Sequence, residues 1–178
     1  MRRLICLFIL SLFFVKTYSQ QIKEGAAFSY TFYLHGQTVP IEFSVLHFTD
    51  SLTLGWKIRG LATGSYIMTP AALQHADKMN MVQPLPNAGI QLGDKETFLI
   101  ISRDAFGKLV KDHQFVYNNT VYNFKDNEPV ISGLDVLHVT AQNEATEFWI
   151  LNNPAFPLVC KIKGSPLGID CLLNGIKQ

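Results

Sequence analysis

The chain has 178 residues, 48% of them hydrophobic and 16% charged, with a formal net charge of +1. Three of its 15 basic residues (Arg2, Arg3, Lys16) fall close to the start, and beyond them 12 basic residues face 14 acidic ones. Scattered, near-neutral charge lacks the basic footprint that nucleic acid requires, and the apolar content is too high for a disordered chain.

Arg2 and Arg3 precede an apolar run from Leu4 to Val15, and Thr17 and Ser19 then supply small side chains before Gln20. This is the pattern of a secretory signal cleaved between Ser19 and Gln20. The run is far short of the roughly 20 residues a bilayer-spanning helix needs, so no transmembrane segment is expected in the mature chain. Residues 20–178 suit one domain, large enough to bury a core without staples.

Period-two alternation dominates residues 20–178, the mark of strands with one buried face. Ala27 to Leu34 places Phe28, Tyr30, Phe32 and Leu34 on one side. Val39 to Phe48 and Leu52 to Arg59 alternate in the same way, with short turns between, and together predict an antiparallel meander. Ser65 to Met68 is a short strand. Thr69-Pro70 then reads as an N-cap with proline at the first helical position, opening a helix from Pro70 to about Met79. Gln83 to Gly93, rich in Pro and Gly, is a loop and a candidate rim or lid. Lys95 to Ile101 is a strand, after which Ser102-Arg103-Asp104 caps a short helix bearing Ala105, Phe106, Leu109 and Val110. A hairpin turns at Asn118-Asn119 between Phe115–Tyr117 and Val121–Phe124. Val130 to Ala141, Ala145 to Leu151, Phe156 to Lys163 and Gly168 to Ile176 complete the set. The expected fold is mainly β, a large curved antiparallel sheet (half-barrel or open barrel) with about two short helices on its concave face, because a sheet of about ten strands must curl or close.

Two cysteines lie beyond the signal, and an exported protein is free to join them. If the last two strands pair symmetrically about Ser165–Pro166, Cys160 falls opposite Cys171 on the same face, near the reach of a disulfide. The alternative is a pair of buried small hydrophobes.

The search for chemistry returns little. His35, His47, His75, His113 and His138 are scattered, with no metal-ligand spacing, and two cysteines with no His nearby do not make a zinc site. No nucleophile elbow or phosphate-cradling glycine motif occurs, so no catalytic residue, metal or cofactor is assigned and a non-enzymatic protein is expected. Asn118-Asn119-Thr120 fits a glycosylation acceptor, but the hairpin explains it equally. What remains is apolar surface. Tyr30, Phe32, Phe43, Trp56, Phe148 and Trp149 are either ordinary core under the helices or the lining of a cavity for a hydrophobic ligand.

Several stretches carry a resemblance: "PAALQHADKMN", "TFLIISRDAFGKLV", and above all "FWILNNPAFPLVCKIKGSPLGIDCLL" near the end of the chain. With the Ser-Gln signal end and the alternating strands, they resemble uncharacterised exported families of Gram-negative bacteria whose fold is similar to the lipoprotein-carrier half-barrel. The resemblance implies a periplasmic or surface location and a groove for a lipid-like ligand, with no catalytic residues. A second expectation is a cell-envelope module that docks another protein through a sheet edge or the Gln83–Gly93 loop.

Overall fold

A computed structural model describes residues 21–58, 62–81, 85–126 and 134–178. The signal assignment, Arg59, the start of the Gln83–Gly93 loop and the first part of the strand expected from Val130 lie outside the described residues.

The first strands among the described residues form a meander of β1 (Ala27–Leu34), β2 (Gln37–Phe48), β3 (Leu52–Ile58) and β4 (Ala62–Met68). After it come α1 (Pro70–His75), β5 (Lys78–Met79), β6 (Gly89–Gln91), β7 (Glu96–Thr97) and α2 (Arg103–Asp112). A second meander comprises β8 (Gln114–Tyr117), β9 (Thr120–Asp126), β10 (Val136–Ala141), β11 (Glu147–Leu151), β12 (Val159–Lys163) and β13 (Ile169–Lys177).

The two meanders join through their outermost strands in sequence. β1 pairs antiparallel with β13, giving one eleven-stranded sheet in the order β6-β4-β3-β2-β1-β13-β12-β11-β10-β9-β8. The sheet is curved and does not close into a barrel. Register shifts at Ser29/Tyr30, Val45/His47, His138/Val139 and Trp149/Ile150 mark bulges, which bend strands and increase twist. Within this sheet, among the described residues, only β6 pairs in parallel, with β4.

This topology puts the beginning and end of the domain at the sheet's centre and its middle at both edges. The chain therefore leaves β4 at one side and must reach β8 at the other by crossing the inner face. Residues 98–101 make that crossing, and all four are buried. Phe98 stacks on Tyr66 with ring centroids 4.0 Å apart and leans on Phe43 at 5.6 Å. The Val159 N–H then donates to Leu99 O (2.8 Å), the Ile101 N–H donates to Pro157 O (3.2 Å), and Ile100 bridges Leu158. The crossing thus pins the first half of the sheet to the second. Leu99 sits at φ 54°, a left-handed conformation that costs a residue with a side chain about 1–2 kcal/mol. That turn ends the extended run, so the strand expected over Lys95–Ile101 is confined to Glu96–Thr97.

The helices start where their caps place them. Thr69 Oγ1 accepts from the Ala72 N–H at 3.1 Å with Pro70 at N1, and Ser102 Oγ accepts from the Ala105 N–H at 3.3 Å. α1 stops at His75, short of the expected Met79. Ala76 turns extended and Lys78–Met79 pairs with Glu96–Thr97 instead, while Ser102 donates to Ala76 O at 2.7 Å. α2 buries Ala105, Phe106 and Leu109, but Val110, expected on that face, is 54% exposed. Asp104 holds the helices together, accepting from Gln74 Nε2 and pairing with His75 Nδ1, both at 2.7 Å.

Candidate functional site

The pairing register sorts the six aromatics by face, because directly opposed antiparallel residues share a side. Phe43 stands opposite Trp56. Phe148 stands opposite Ile162, Ile162 opposite Cys171, and Cys171 opposite Phe32. These residues, with Tyr30, belong to the inner face. Trp149 does not. It stands between His138 and Lys161 in the neighbouring row, on the outer face.

All six are buried, none more than 4% exposed. Tyr30, Phe32 and Phe43 pack as a cluster, Tyr30 edge-on to Phe43 at 5.7 Å. The Tyr30 hydroxyl donates to Val159 O (2.8 Å), and burial, aided by the Cys160 and Cys171 thiols, holds its phenol well above the ordinary range. With Phe98 roofing this cluster, the first half of the inner face is filled core. Of the six, Phe148 lines a cleft over the second half of that face, while Trp56 and Tyr30 each border a more open hollow that Glu42 and Lys57 also line.

The Phe148 cleft has a volume of about 270 Å³. Its floor is Tyr122 of β9, Phe148 of β11 and Ile162 of β12. Phe115, Tyr122 and Phe148 form one continuous stack, with centroids 5.3 and 4.7 Å apart. Met79 and Met81 form one wall. Three strand connections make the lip: Asn118 and Thr120, Glu144 and Thr146, and Ser165-Pro166-Leu167. Leu167 is 58% exposed there, a large apolar side chain held in water at the entrance.

Local chemistry fixes these lips. Asn118 and Asn119 take φ of 52° and 61°, the two left-handed residues that a tight type I′ hairpin needs. The Asn118 side-chain oxygen accepts from the Met79 N–H (2.9 Å) while the Asn118 backbone N–H donates to Asp77 O (2.8 Å), so the turn anchors the methionine wall. The Asn118 side chain is thus engaged in the fold, which favours the hairpin reading of Asn118-Asn119-Thr120 over a glycan acceptor. Gly164, at φ 69°, lies so close to Ala145 that a Cβ would collide with its carbonyl oxygen. Thr146 Oγ1 donates to Gly164 O at 3.3 Å, which locks two of the lips together.

Gly164 and Gly168 both take positive φ, so the last hairpin centres on Pro166–Leu167 rather than Ser165–Pro166. Cys171 consequently faces Ile162 instead of Cys160, a two-residue slip that keeps each side chain on its face. Both cysteines are free and buried. Burial pushes the Cys160 thiol up to about 12 and raises Cys171 as well.

On the outer face, His138 is 2% exposed and lies between two carboxylates, Nδ1 2.9 Å from Asp126 and Nε2 2.8 Å from Glu147. Its ring stacks on Trp149 at 4.1 Å, and Lys161 covers Trp149 with Nζ 4.0 Å from the ring centroid. Burial would raise Glu147, but hydrogen bonds from His138 and Lys163 outweigh it and hold the carboxyl below its ordinary value. Among the described residues, no group of three or more His, Cys, Asp or Glu is arranged to hold a metal ion, and no helix is long and apolar enough to cross a membrane.

Met79, Met81, Tyr122, Ile162 and Leu167 escape the sequence reading of the site. Met79 is absorbed there into a helix. Tyr122 and Ile162 sit in ordinary alternation and are buried like core, and only the fold shows that they border the cleft. Comparison with family models, with curated proteins and with solved structures finds no match for this chain.

Proposed function

We propose that this chain is an exported, non-enzymatic binding protein of the periplasm or cell surface that holds an apolar, lipid-like ligand in the cleft over β9, β11 and β12. The observation that carries the reading is the cleft itself: Met79, Met81 and Leu167 stand around a buried apolar base of Tyr122, Phe148 and Ile162, beside a half of the same sheet that the crossing segment covers. A concave apolar site with a few polar groups at its mouth is the usual form of a small-molecule pocket. Methionine walls adapt to ligands of irregular shape. The export signal and the resemblance to lipoprotein-carrier half-barrels support the same reading.

Native mass spectrometry of the protein, purified from its host without detergent, tests it. The expected spectrum carries an added mass that is lost on denaturation and recovered as lipid. Bare polypeptide, together with no uptake of added lipid, would overturn the reading.

A second reading, docking of an envelope protein, is favoured by β8. This strand closes one end of the sheet with β9 as its strand partner, and it exposes Val116 (53%). Unpaired strand edges recruit extended segments of other chains. Substituting Val116→Lys should abolish capture of such a partner while leaving lipid uptake intact; unchanged capture would rule out this edge.

A further inference from the structure

The cleft's mouth carries a charge of one sign. Among the described residues lining it, Glu144 is the one charged side chain, and it is exposed. Its field reaches the floor: after burial, Glu144 is the next cause that raises the Tyr122 phenol, against a hydrogen bond with Thr146. The other polar groups of the lip are neutral, and several are already engaged. Asn118 Oδ1 accepts from Met79, Thr146 Oγ1 donates to Gly164, and Ser165 Oγ accepts from the Leu167 N–H at 3.3 Å.

A carboxylate or phosphate entering here would lose water and meet a like charge, with no lining cation among the described residues to offset either cost. A cationic head would be attracted, and an uncharged one would meet hydroxyls and an amide. Size narrows the class further. About 270 Å³ lies just below the roughly 300–1,000 Å³ of drug-sized pockets, which suits a single chain rather than a multi-chain lipid. Leu167 at the entrance extends the apolar track outward.

Resting on the ligand-binding reading of the same cleft, we propose that it selects a single apolar chain whose polar end is cationic or uncharged, and discriminates against anionic heads through Glu144. Three ten-carbon probes differing only in head group test this by calorimetric titration at pH 7 and low ionic strength: decyltrimethylammonium, 1-decanol and decanoate. The cation should bind about tenfold tighter than decanoate, the size of effect one nearby surface charge produces. Decanol should fall between them. Added salt should narrow the gap, since it screens exposed charges. Glu144→Gln should collapse the difference between cation and decanoate, and Glu144→Lys should reverse its sign. Decanoate binding as tightly as the cation, or an order indifferent to both substitutions, would overturn the charge selectivity and leave the ligand-binding reading standing. No binding of any probe would overturn both.

Discussion

The two halves of the inner face are built from the same materials and end differently. Over β1–β4, Phe43 and Tyr66 lie against Phe98 of the crossing segment, Tyr30 packs edge-on to Phe43, and Trp56 is buried in the same core. Over β9–β12, Tyr122, Phe148 and Ile162 form an equally apolar floor, yet the space above is open and edged by turns. Composition does not separate the halves; the route of residues 98–101 does. A curved sheet's concavity becomes core where the chain folds back over it and becomes a cleft where it does not.

If this contrast is sound, substitutions in the two halves should have opposite signatures. Phe43→Ala should cost about 3–5 kcal/mol of stability in denaturant unfolding, the usual range for a buried Phe. The remaining folded protein should still bind 1-decanol with unchanged affinity. Gly164→Ala should cost about 1–3 kcal/mol, because the new Cβ meets Ala145 and φ 69° is unfavourable for alanine. It should also weaken decanol binding, since it displaces two lips at once. Met81→Gln should lie at the other extreme. Met81 is only half-buried, so thermal stability should change by less than about 1 kcal/mol, while decanol affinity falls about tenfold.

The outer face offers a control independent of both halves. The Glu147 carboxyl is held below its ordinary range in the folded state. Its contribution is therefore complete above about pH 4.3, the unfolded value, and is lost as pH falls through the lower folded one. Unfolding across pH 3–6 should show this acid limb, and Glu147→Gln should make it shallower without altering ligand binding, the remainder coming from Asp50 and Asp104, which are also held low. Smallest of all in stability terms, the thiols should be silent. With Cys160 pushed to about 12 and both side chains buried, iodoacetamide at pH 8 should label neither until the protein unfolds.

The range of each interaction decides how much of this was legible in the sequence. The meanders, both N-caps and the Asn118-Asn119 hairpin are set by neighbours in sequence, and the expectations for them match the structure. The face of Trp149 was not legible. Phe148-Trp149-Ile150-Leu151 is apolar throughout, so parity is invisible, and Lys161 and His138 supply its outer-face partners. The slip that separates Cys160 from Cys171 arises from two left-handed glycines that composition marks only as a turn. The crossing was hidden because Leu99 and Ile101 bond to Val159 and Pro157, far along the chain. Of the six aromatics singled out, Phe148 reaches the cleft because its position lies beyond that crossing.

Methionine methyl resonances read the two halves in one experiment. Beyond Met1 the chain has three methionines: Met68 under the crossing, its sulfur accepting from the Phe98 N–H at 3.4 Å, and Met79 and Met81 on the cleft wall. Titrating 1-decanol into methyl-labelled protein should shift Met79 and Met81 together and leave Met68 in place. Movement of Met68 with the other two silent would put the ligand in the filled half and contradict the assignment of the site.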